Sequence, residues 1–145
     1  MQKMQKILVA YDGSPHSKEA LNWAIDLSIM SGAEVAAVKV FEKASYSSAE
    51  FDVSNYPAFI DAMRTEGQRL IDEMIAVGQV RGVNITGELL QGNIAGEILS
   101  YAKQNNFDLI IAGTKGHGAL AELLMGSVTS NLVSLAHVPV LVVKD

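Results

Sequence analysis

The chain has 145 residues, 49% of them hydrophobic, which suits one domain able to bury about two-thirds of its unfolded surface. It contains no cysteine, so disulfides and thiolate metal sites are excluded, and a reducing compartment fits. With 16 acidic against 11 basic residues, a net charge of −5 and neither a membrane-length apolar run nor a signal peptide, it reads as cytoplasmic, with no nucleic-acid or membrane partner.

The first strand is Ile7-Leu8-Val9-Ala10, ended by Tyr11-Asp12-Gly13-Ser14-Pro15. Ser14 is a good N-cap and Pro15 suits the first helical position. The helix that follows turns Ala20, Leu21, Ala24, Ile25 and Leu27 inward and stops at Gly32. Val35 to Phe41 is a second, mostly apolar strand, completing a right-handed βαβ unit. Glu42 to Asn55 has no period and reads as a surface loop or part of a lid. Its Tyr46 and Phe51, with Tyr56, either anchor the loop or stack on a base. From about Pro57, the residues Ile60, Met63, Gly67, Leu70, Ile71, Met74 and Ile75 follow a helical period that ends near Gly78 to Gly82.

Val83 to Leu89 alternates apolar and polar residues, so it is expected to be an edge strand with one wet face. Gly92-Asn93 caps a third helix, with Ile94, Ala95, Ile98, Leu99 and Ala102 on one stripe and Asn105-Asn106 at its end. Leu109 to Ala112 is a buried strand. A fourth helix is expected over Ser127 to Ala136, with Val128, Leu132 and Leu135 facing inward. Val138 to Val143 is the last strand. Five strands alternating with four helices predict a doubly wound α/β sandwich with no interdomain linker.

The chemistry concentrates in Gly113 to Ser127, between the fourth strand and the fourth helix. Glycines at a strand exit let a ligand approach the backbone, and a helix start offers free N–H groups and a positive dipole end. That combination suits phosphate. The alternative is a plain glycine loop with Ser127 as an ordinary N-cap. This is not a Walker A loop, because Lys115 precedes its second glycine. In a doubly wound sheet of order 3-2-1-4-5 the ligand sits where the winding reverses, between strands 1 and 4. The loops meeting there are Tyr11 to Ser14 and Gly113 to Ser127.

The chain resembles the universal stress protein family over essentially its whole length. The resemblance is carried by Val9-Ala10-Tyr11-Asp12-Gly13-Ser14, Gly92-Asn93-Ile94-Ala95 and Val138-Pro139-Val140-Leu141-Val142-Val143. It is carried most of all by Gly-x2-Gly-x9-Gly-Ser, formed by Gly113, Gly116, Gly126 and Ser127, which marks the family's ATP-binding branch. The resemblance implies the strand order 3-2-1-4-5. It also implies that Gly113, Gly116, Gly126, Ser127, Val128 and Thr129 bind ribose and phosphates. Asp12 would lie beside the adenosine or hold a Mg2+ on the phosphates. Val40 would meet the adenine edge with its backbone, and Ala10 would line the pocket. Thr114 belongs to the same segment, and Lys115 touches either phosphate or solvent. The ligand implied is ATP, AMP or another adenosine nucleotide.

Other chemistries fit poorly. His16, His117 and His137 lack ligand spacing with any acid, and no Gly-x-Ser-x-Gly elbow exists. A response regulator needs an aspartate after the third strand, where Leu89-Leu90-Gln91-Gly92 stands; a flavodoxin needs a more hydroxyl-rich loop after the first. Two functions remain: a nucleotide-dependent regulator in stress response, or a slow Mg-dependent ATP hydrolase. Apart from Asp12 and Lys115, no base to orient water and no arginine near the loop is evident, which favours binding over turnover. The bare apolar edge Val140 to Val143 predicts a homodimer through the last strand. The resemblance implies the same interface.

Overall fold

The computed structural model describes residues 3–42, 56–114 and 125–144. Strands and helices alternate as β1 (Lys6–Ala10), α1 (Pro15–Ser31), β2 (Glu34–Phe41), α2 (Tyr56–Val80), β3 (Ile85–Gln91), α3 (Ile94–Gln104), β4 (Leu109–Gly113), α4 (Ser127–Leu135) and β5 (Val140–Val143). The strands form one parallel sheet in the order β3-β2-β1-β4-β5. The central strand β1 is apolar on both faces because both are covered. Ile7 and Val9 join Val35, Ala37 and Ile111 beneath α1 and α2, while Leu8 joins Ala36, Val38 and Ile110 beneath α3 and α4.

Local chemistry sets most element ends. The Ser14 side chain accepts the Ser17 N–H at the start of α1, and Asn93 accepts the Gly96 N–H at the start of α3. Gly32, at φ 78°, closes α1 in a conformation that a Cβ would strain. The β3 edge is as alternating as expected, with Ile85 buried and Thr86 and Glu88 exposed.

Three expectations need correction. Strand β3 starts at Ile85, not Val83, because the Val83 N–H is spent on Gly78 O (2.9 Å) in closing α2. Strand β5 starts at Val140, two residues later than expected. In α4, Leu132 is buried but Leu135 is 67% exposed. The inner stripe centres on Thr129 and Leu132, a polar residue holding a position where hydrophobicity alone favoured leucine. No described helix is long and apolar enough to cross a membrane.

Candidate functional site

The winding reverses between β1 and β4, and the carboxyl ends of these strands define the candidate site. On the β1 side the chain turns through Asp12 to Ser14, with Gly13 at φ 84°. Asp12 Oδ1 accepts the Ser14 N–H (2.9 Å), and the Asp12 N–H donates to Ser17 Oγ (3.3 Å). Ser17 Oγ donates in turn to Ser14 O (3.0 Å), and both serines are buried. The Asp12 carboxylate therefore sits on a hydrogen-bonded turn at the mouth of the sheet.

Val40 lies beyond the last β1–β2 register pair, Ala10 with Val38. The Tyr11 N–H donates to Val38 O (2.9 Å), so Val38 directs its backbone groups toward β1. Two residues on, Val40 directs its N–H and C=O the same way, past the end of β1, while its side chain is buried beneath α3 and α4. Ala10 is half-buried against that same layer.

On the β4 side, Thr114 is a junction. Its N–H donates to Val143 O (2.9 Å), its C=O accepts the Gly126 N–H (2.9 Å), and its Oγ1 lies 3.1 Å from His16 Nδ1. The bond to Gly126 joins the two ends of the glycine-rich segment. Lys115, Gly116 and His117 lie outside the described residues, as do the 43–55 segment with Tyr46 and Phe51 and the side chain of Tyr56.

Gly113 is needed for packing. A Cβ there would fall 2.5 Å from His16 Cβ, 2.8 Å from its carbonyl carbon and 2.9 Å from its oxygen. The backbone of α1 thus fills the space into which a side chain at this position would project. Thr129 is buried, and its hydroxyl donates to Gly113 O (2.7 Å), so its proton is committed to holding α4 against β4.

Gly126, not Ser127, is the N-cap of α4, and Ser127 is the first helical residue. A glycine cap has no side chain with which to satisfy the first-turn donors. In α1 and α3 a Ser or Asn does so, but here the cap leaves the first-turn N–H groups of Ser127, Val128 and Thr129 uncovered by any cap side chain. Ser127 is exposed and Val128 half-buried at the mouth. Uncapped amides, an aligned helix dipole and a nearby hydroxyl are features that favour an anion.

Two features escaped the sequence reading. His16 meets Thr114 across 98 residues of chain, a contact that no local pattern signals. Tyr11, beside Asp12, is buried and donates its hydroxyl to Glu73 Oε1 (2.9 Å). Glu73 also pairs with Lys18 (3.7 Å) and Arg69 (3.3 Å), tying the end of β1 to α2. Burial, reinforced by the hydrogen bond to Glu73, holds the Tyr11 phenol well above its ordinary pKa of 10.0.

The comparisons agree with this architecture. The model of the universal stress protein family matches residues 3–144. Universal stress protein MJ0531 of Methanocaldococcus jannaschii is 34% identical over 140 residues, covering 97% of this chain and 82% of that protein. Universal stress protein YxiE of Bacillus subtilis is 32% identical, covering 96% and 98%. Among solved structures, hypothetical protein MJ0577 superposes with a TM-score of 0.88 at 25% identity, covering 99% and 98%. Two others share the fold at lower identity: a universal stress protein from Archaeoglobus fulgidus in complex with dAMP (TM-score 0.69, 18%, covering 99% and 100%) and one in complex with cAMP (0.70, 21%, covering 99% and 98%). The chain belongs to the universal stress protein family.

Proposed function

We propose that this protein is an adenine-nucleotide-binding regulator of the stress response whose ligand is ATP, with the triphosphate seated on the first turn of α4. The observation that carries this reading is the N-terminus of α4. Its cap is Gly126, with no side chain to compete for the Ser127, Val128 and Thr129 amides, and it sits at the switch point of the sheet. Val40, with its backbone directed past β1, offers one donor and one acceptor to an adenine edge. Relatives in complex with dAMP and cAMP support an adenine ligand. Asp12 is suited to a Mg2+ carried by the phosphates, since Mg2+ is commonly bound through one or two carboxylates plus phosphate oxygens.

Binding is favoured over turnover. Phosphoryl transfer needs an oriented nucleophile and transition-state charge stabilisation. Asp12, on the turn after β1, already uses an oxygen to hold the Ser14 N–H. The outer edge of β5 suits a second copy of the chain. Val143 O and Pro139 O accept from β4, so the residues between them in register, Val140 and Val142, direct their backbone groups outward. Mass spectrometry of small molecules released from the purified protein, followed by calorimetric titration with ATP, tests the ligand. No nucleotide released and no heat of binding would refute it.

A further inference from the structure

The two halves of the site lie far apart in sequence, and His16 is a side chain that joins them. It stands on the first turn of α1, just after the Asp12–Ser14 turn. Its backbone packs against Gly113 closely enough to exclude a Cβ, and its Nδ1 lies 3.1 Å from Thr114 Oγ1. Thr114 in turn holds β5 through its N–H and the α4 N-cap through its C=O. A shift of Thr114 would move Gly126 with it, and with Gly126 the amides of the first turn of α4. We propose that His16 is a positioning residue. Through Thr114 it sets the α4 N-terminus at the distance from the Asp12 turn that a bound phosphate chain requires. The proposal rests on the nucleotide reading of the site.

The imidazole suits this task. Its Nδ1 either accepts from the Thr114 hydroxyl or donates to it, according to tautomer, so the link exists for both neutral forms. The link acts on the phosphate half of the site, since Ala10 and Val40 belong to β1 and β2 and lie outside the segment that Thr114 holds. Losing it should therefore weaken ATP binding more than adenosine binding, an asymmetry that loss of a merely structural contact would not produce.

The test is calorimetric titration of ATP and adenosine into wild type, His16→Ala, Thr114→Val and the double variant, with His16→Asn as the rescue. A neutral hydrogen bond of about 0.5–1.5 kcal/mol corresponds to roughly two- to tenfold in affinity. Each single variant should lose ATP affinity by about that factor. The double should lose no more than the weaker single, and His16→Asn, whose amide can stand near Nδ1, should recover most of it. His16→Leu, which fills the space without a hydrogen-bonding group, replaces the alanine variant if that one does not fold. Single variants with wild-type ATP affinity overturn the positioning role while leaving the nucleotide reading intact. Equal losses for ATP and adenosine also overturn it. A wild type that binds neither ligand overturns both.

Discussion

Replacing Gly113 by Ala separates two explanations of the first motif glycine. If the glycine exists for ligand approach, the variant should fold normally and lose affinity. The structure directs the new methyl elsewhere, to within 2.5 Å of His16 Cβ and 2.8 Å of its carbonyl carbon. Because one of these atoms is α1 backbone, the helix itself must shift. Overpacking of this kind costs typically 1–3 kcal/mol, and a backbone obstacle places this case near the upper end. An offset comes from the unfolded state, since Gly→Ala at a compatible backbone restricts the denatured chain by about 0.4–1 kcal/mol. Gly113 is not among the described glycines with positive φ, so that gain applies. The net expectation is a loss of about 2 kcal/mol, or roughly 4–8 °C in Tm for a domain near this size. Urea denaturation at constant m-value, with a thermal melt beside it, measures this. A variant within about 0.5 kcal/mol of wild type would refute the packing account and return Gly113 to the ligand.

At the other end of the motif the outcome should invert. Gly126 has φ −64° and ψ 160°, which any residue adopts, so Gly126→Val should fold yet bind ATP about ten- to hundredfold more weakly; unchanged affinity in calorimetry would remove the phosphate from α4. ATP hydrolysis with Mg2+ should fall well below the ~1–100 s⁻¹ of kinases, and a phosphate-release assay reaching that range, abolished by Asp12→Ala, would establish an enzyme instead. Sedimentation equilibrium should show a wild-type dimer and a Val142→Pro monomer, because that proline removes an outward N–H without touching the β4 pairing; a monomeric wild type at about tens of micromolar, in the micromolar range of weak association, defeats the β5 interface. Tyr11 holds its proton more tightly folded than unfolded, so its contribution to stability is complete below pH 10.0 and declines as pH rises beyond it; alkaline melts of Tyr11→Phe should lack that decline.

The residue pattern by itself was enough for the elements and their alternation, while the strand order came through the family resemblance. Apolar runs such as Leu109 to Ile111 declare strands covered on both faces, and the alternation from Ile85 to Glu88 declares an edge. Ser14, Gly32 and Asn93 mark helix ends by hydrogen bonds within a few residues, the range over which sequence is a direct record of structure. The glycine motif was legible as a position, but not as a set of roles. Only tertiary structure decided that Gly113 yields its Cβ space to His16, that Thr129 spends its proton on Gly113 O, and that Leu135 points outward. It alone brought Tyr11 to Glu73 and His16 to Thr114, across 62 and 98 residues. The physical reason is the same in each case. A hydroxyl, an imidazole or a missing Cβ has no periodicity of its own, and its partner is chosen by which elements the parallel crossovers stack together.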